Sequence, residues 1–146
     1  MNGSTVSAEV ELRLVVRDDA EDLIVPLVAG LSYSSGDPYA VSIGFHVGLD
    51  EPVEWTFARD LLSAGMSAAA GEGDVKICPS VNSRGGFTGV VANIEISSPH
   101  GAASFEAPVR DVTDFLQRTY EVVPEGQEGK HVDVDAELAD LLRETR

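Results

Sequence analysis

The tightest constraint on what this chain can fold into is a two-residue alternation near its N-terminus. Val6, Ala8, Val10, Leu12, Leu14 and Val16 alternate with Ser7, Glu9, Glu11, Arg13 and Val15. Successive side chains of a strand point to opposite faces, so this spacing predicts a strand with one buried face and one wet face. The pattern returns in Val41, Ile43, Phe45 and Val47, set against Ser42, Gly44, His46 and Gly48, and again in Val53, Trp55 and Phe57 after a turn at Asp50-Glu51-Pro52. Between them, Leu23 to Tyr33 is apolar and β-branched but carries Pro26 and Gly30. Proline has no N–H for a ladder, so an edge or bent strand is expected there. Val75 and Ile77 (with Pro79 interrupting), Val90 to Ile96, and Ala103, Phe105 and Ala107 extend the series. Short turn-forming stretches such as 34–38, 83–86 and 98–101 separate several of these runs, which suits antiparallel neighbours.

Helical spacing appears three times. Phe57, Leu61, Leu62 and Met66 share one helix face, with Gly65 near its end. Pro108 suits the first position of a helix whose apolar stripe is Val109, Val112, Phe115, Leu116 and Thr119. Residues 124–132 read as a linker, and Val134, Leu138, Leu141 and Leu142 then define an amphipathic helix over 133–145, capped by Asp133 or Asp135. The expected fold is α+β: one domain over residues 1–146, with about seven mainly antiparallel strands, three helices and a flexible stretch at 1–5. A length of 146 residues is that of one domain with a real core.

Charge narrows the function. The chain holds 25 acidic and 10 basic residues, a formal net charge of −15. Residues 121–146 hold 8 acids and 3 bases, leaving 17 and 7 elsewhere, so the acidity is general. Nucleic-acid binding draws on Lys and Arg at phosphates, and anionic lipid attracts basic clusters. Neither is expected as a partner. Residues 1–11 lack the basic flank and apolar block of a signal peptide, which predicts a cytoplasmic protein.

Catalytic patterns are missing. Cys78 precedes Pro79 in a strand-like run with no base nearby and reads as a small core residue. His46, His100 and His131 are not spaced as metal ligands. Asp133, Asp135, Glu137 and Glu144 match positions 1, 3, 5 and 12 of a calcium loop, but Leu138 stands where the sharp turn needs glycine. Gly71 and Gly73, like Gly85 and Gly86, precede strands instead of opening helices, so they are loop glycines and not a phosphate cradle. No enzyme, metal or cofactor is predicted. The candidate interface residues are apolar: Trp55, beside Phe57 on one strand face, and Leu138, Leu141 and Leu142 on the tail helix. For both groups, packing within the domain competes with a partner contact.

Several segments, in order, carry a resemblance to a known family. They are Val10-Glu11-Leu12-Arg13-Leu14-Val15-Val16, then Asp37-Pro38-Tyr39-Ala40-Val41 with Phe45-His46. The block Val53-Glu54-Trp55-Thr56-Phe57-Ala58-Arg59-Asp60-Leu61-Leu62 in front of Gly65 is the most specific. Gly73-Asp74-Val75, Ser97-Ser98-Pro99-His100-Gly101, Glu106-Ala107-Pro108-Val109-Arg110, Phe115-Leu116-Gln117-Arg118-Thr119 and Val132-Asp133-Val134-Asp135-Ala136-Glu137-Leu138 complete the series. The chain resembles the SsgA-like proteins, sporulation and cell-division regulators of actinomycetes, over nearly its whole length. The resemblance implies a fold similar to that of the whirly single-stranded nucleic-acid-binding proteins, assembly as a homotrimer, and no catalytic residue. It also implies recruitment of FtsZ to division septa, cooperation with an SsgA-like partner, and membrane contact only through partners. Single-stranded nucleic-acid binding is the alternative that such a fold suggests, and the charge of −15 opposes it.

Overall fold

The computed structural model describes residues 4–17, 22–45, 53–71, 73–99 and 101–131. Seven strands form one antiparallel sheet: β1 (Thr5–Arg17), β2 (Asp22–Ser34), β3 (Asp37–Phe45), β4 (Val53–Ala58), β5 (Val75–Ser80), β6 (Val91–Ser98) and β7 (Gly101–Pro108). Helix α1 (Arg59–Gly65) follows β4, and α2 (Val109–Val122) follows β7. A 3-10 turn over Glu128–His131 ends the described chain. The sheet order is β4-β3-β2-β1-β7-β6-β5. Two meanders, each ending in a helix, are therefore joined along β1 and β7.

The alternation does what its period requires. Val6, Val10 and Leu12 are buried on one face of β1, as are Ala29, Leu31 and Tyr33 on β2 and Val41, Ile43 and Phe45 on β3. From the second meander, Ile77, Ile94, Ile96, Phe105 and Ala107 join the same core. The sheet is strongly curled. Phe45 and Phe105 sit three strands apart, roughly 14 Å in a flat sheet at about 4.8 Å per strand, yet their ring centroids are 4.8 Å apart. Along α2, Val112, Phe115, Leu116 and Thr119 are buried at helical spacing, while Val109 is half-buried.

Three differences from the sequence expectations have local causes. β2 lies inside the sheet, between β1 and β3, and is not an edge. Pro26 pairs with Arg13 of β1 and lies beyond the described β2–β3 pairs, which begin at Ala29–Phe45. β5 runs through Pro79 to Ser80, which its edge position allows. α1 begins at Arg59, with Phe57 still in β4, and α2 begins after Pro108, which occupies the capping position. The described residues contain two α-helices. The expected third helix, 133–145, lies outside them, as do residues 1–3. Thr5 is already paired with Ser34.

The free side of β5 is partly covered. Ala70, in the small-residue stretch after α1, exchanges two backbone hydrogen bonds with Ile77, at 2.8 and 2.9 Å. Gly65 makes this approach possible, because a Cβ there would come within 2.3 Å of Ile77 Cγ2.

Candidate interaction surfaces

Trp55 stands on β4 opposite Ile43. It is half-buried and, with Phe57, flanks the hydrophobic core. Leu138, Leu141 and Leu142 lie outside the described residues. Cys78 is free and half-buried. His46 and His100 also lie outside the described residues, and His131 ends the 3-10 turn. Among the described residues no group of three or more His, Cys, Asp or Glu is placed to hold a metal ion. No described helix is long and apolar enough to cross a membrane.

Buried charges organise the molecule at two places, around Arg59 with Glu128 and around Glu106, and the sequence reading singled out none of the three. Arg59, at the head of α1, is fully buried. Its Nη1 donates to the Val123 carbonyl at 2.8 Å and the Thr119 carbonyl at 3.3 Å. Its Nη2 pairs with Glu128 Oε2 at 2.9 Å. The guanidinium also lies over the rings of Tyr33 (4.9 Å) and Tyr120 (4.5 Å). One side chain thus ties α1 to the carbonyl end of α2, where the helix dipole favours a cation, and to β2 and the 3-10 turn. The stretch read as a linker, 124–132, is anchored at Glu128. The Arg59 hydrogen bond holds the Glu128 carboxyl below the usual glutamate range, supported by backbone hydrogen bonds. Burial pushes the Tyr33 phenol up, against the pull of Arg59, and its hydroxyl donates to the Pro38 carbonyl at 2.9 Å. The signal for Arg59 was present: it precedes Leu62 and Gly65 by three and six residues, on the buried face of α1.

Glu106 is the buried charge of the second place, at 1% exposure. It sits on the outer face of β7, opposite Asn93 and Arg13, where strand alternation alone predicts a wet side chain. The loop after β5 folds over it. Glu106 Oε1 accepts from Ser83 Oγ (2.7 Å) and Gly85 N (2.8 Å), and Oε2 accepts from Arg84 N (2.8 Å). Arg13 donates to the Gly85 carbonyl and stacks on Phe87, its guanidinium carbon 3.8 Å from the ring centroid. Gly85 has no room for a Cβ, which would meet Glu106 Oε1 at 2.9 Å and Arg13 Cδ at 3.0 Å.

A third feature is apolar and exposed. β1 and β7 share only three register pairs, Arg13–Glu106, Leu14–Phe105 and Val15–Ser104. β1 and β2 stay paired from Thr5–Ser34 to Arg17–Asp22. The far end of this hairpin therefore runs beyond the described pairs with β7 on one side and with β3 on the other. Val16 is 40% exposed, Leu23 59% and Val28 65%.

Comparison with known proteins follows the same outline. The family model of the Streptomyces sporulation and cell division protein SsgA matches residues 27–128. The sporulation-specific cell division protein SsgB of Thermobifida fusca is 50% identical over 141 residues, spanning 97% of both chains. SsgB of Streptomyces coelicolor is 48% identical over 142 residues, covering 97% of this chain and 98% of its own. A crystal structure of an SsgA-like sporulation-specific cell division protein from Thermobifida fusca superposes with a TM-score of 0.79 at 51% identity, over 94% of this chain and 96% of that one. A solved structure from work correlating mutations in SsgB with longitudinal cell division during sporulation of Streptomyces coelicolor gives 0.80 at 46% identity, over 89% and 97%.

Proposed function

This chain belongs to the SsgA-like family of sporulation and cell division proteins, and from that premise we propose that it is a non-enzymatic activator that marks septum sites and recruits FtsZ during sporulation-specific division. The observation that carries this reading is the identity of about half the residues with SsgB along nearly the full length of both chains. A role in sporulation cell division follows from that likeness. The finer assignment rests on the family resemblance and on charge, since an acidic surface suits a protein partner better than phosphate. In this reading the protein works as a homotrimer at division septa, alongside an SsgA-like partner, and reaches the membrane through partners.

Co-sedimentation with FtsZ polymers in the presence of GTP, at low and moderate salt, tests the recruitment. Co-pelleting that survives moderate salt is expected of a specific recruiting surface. Failure to co-pellet at any salt, from protein that is folded and of three-chain mass by light scattering, would overturn direct recruitment. A one-chain mass at micromolar concentration would overturn the trimer.

A further inference from the structure

The two edges of the sheet, β4 and β5, are not alike. On β5, Ile77 gives both of its backbone groups to Ala70. The residues that turn their backbone away from β6 are therefore Val75, Ile77 and Pro79, since strand hydrogen bonds alternate sides. That side is closed to a further strand. Gly71 lies against the Val75 carbonyl, where a Cβ would stand 2.3 Å from the oxygen. Ile77 is taken by Ala70, and Pro79 has no N–H to offer. β4 carries none of these devices. Val53–Ala58 has no proline or glycine, a single charge at Glu54, and β-branched or aromatic side chains at Val53, Trp55, Thr56 and Phe57. Among the described residues, no hydrogen bond reaches its far side: its backbone pairs with β3, and the Thr56 hydroxyl meets Ser42 of β3 at 2.9 Å.

The geometry points to β4 as the strand on which a second copy of this chain adds its own β4, antiparallel, across a two-fold axis. The faces of β4 fix the register. Trp55 and Phe57 stand opposite the buried Ile43 and Val41, on the core side, while Glu54 and Thr56 stand opposite Gly44 and Ser42, on the outer side. Residues paired across an antiparallel ladder share a face, so core-side residues meet core-side residues. An axis at Glu54 would set two carboxylates against each other. An axis at Thr56 would lay Val53 against Arg59, which is buried at the head of α1. An axis at Trp55 avoids both. It stacks Trp55 on its counterpart, sets the exposed Val53 against Phe57, and gives each Glu54 a Thr56 as its neighbour. The half-buried aromatic flank of β4 is then covered by its own equivalent. This pairing stands apart from the homotrimer and from FtsZ recruitment. Strand pairing around a three-fold ring would need two different open edges, and β5 is closed. Chains at −15 repel each other, and a ladder over 53–57 buries little area, so the pair forms at high protein concentration and tightens as salt screens the charge.

The test is disulfide trapping in the full chain carrying Cys78→Ser, which removes its one native thiol. Glu54→Cys and Thr56→Cys are made separately, at exposed outer-face positions where folding should be retained and melting curves can check it. The two positions face each other in this register, at a Cα spacing that a disulfide spans, whereas each lies too far from its own counterpart. Under mild oxidation at high protein concentration, an equal mixture of the two variants should form a two-chain band at least tenfold faster than either variant alone, and faster again at moderate salt. Hydrogen exchange of the unsubstituted protein gives a second readout. The β4 amides that point away from β3 should exchange quickly in dilute protein and at least tenfold more slowly when it is concentrated. A mixture that links no faster than its components overturns the proposal, as does a band from Thr56→Cys alone that forms as fast as the mixed one. Slow exchange of every β4 amide in dilute protein also overturns it, because the edge would then be covered within one chain or inside the homotrimer.

Discussion

At the scale of the residue, Arg59 joins parts of the chain that sequence distance separates. Its partners lie 60, 64 and 69 residues away. Arg59→Leu keeps much of the volume but takes from the Val123 carbonyl its guanidinium donor and leaves a carboxylate built to face a cation. Denaturant unfolding should show a loss of about 3 kcal/mol, and wild-type midpoints in the variant would show the cluster to be dispensable. The pH dependence has two arms. Glu128 is more acidic in the folded state than in the unfolded chain, so its contribution is present above the ordinary glutamate range. It is lost as pH falls through the lowered folded value. Tyr33 is less acidic in the folded state, so its contribution is present below its ordinary value of 10.0 and is lost as pH rises through the raised folded value. Melting temperatures should stay level through the neutral range and fall at both ends. Glu128→Gln should flatten only the acid arm, and Tyr33→Phe only the alkaline one.

At the scale of the element, close approach decides more than propensity. Gly65 ends α1, as its place after the apolar run suggested, but its backbone does not need a glycine. The requirement comes from β5, since Ile77 Cγ2 and Cβ lie 2.3 and 2.5 Å from where a Cβ would stand. Gly65→Ala should improve helix propensity and still cost about 1–3 kcal/mol in thermal unfolding, because Ile77 is held by the sheet and by Ala70. A stabilised variant would mean that α1 can slide away from β5 freely. The loop after β5 hangs in the same way from Glu106. Glu106→Gln puts an amide N–H against a donor, so amide exchange at Arg84 and Gly85 should accelerate at least tenfold while exchange in β3 stays unchanged.

At the scale of the whole molecule, charge is the dominant fact. A chain at −15 repels a phosphate backbone in solution. A labelled single-stranded oligonucleotide should show no rise in anisotropy at low salt, where electrostatic attraction is strongest. Binding there that salt abolishes would point to a local basic patch and would revive the nucleic-acid alternative.

The alternation of Val6 to Leu12 and of Val41 to Phe45, and the stripe from Val112 to Thr119, were decided by the sequence. Side-chain direction is a local property with a period of 2 or 3.6, and which face is apolar can be read without knowing what covers it. The antiparallel pairing of adjacent strands follows from short turns for the same local reason. Only the tertiary structure decided that Pro26 sits in an inner strand, since which strands flank β2 depends on pairing with β1 and β3 and not on its own residues. Only it buried Glu106, because the covering loop lies more than twenty residues away in sequence. The short pairing of β1 with β7 is equally non-local. It joins two strands from different meanders, and no pattern within either strand records how far its neighbour runs.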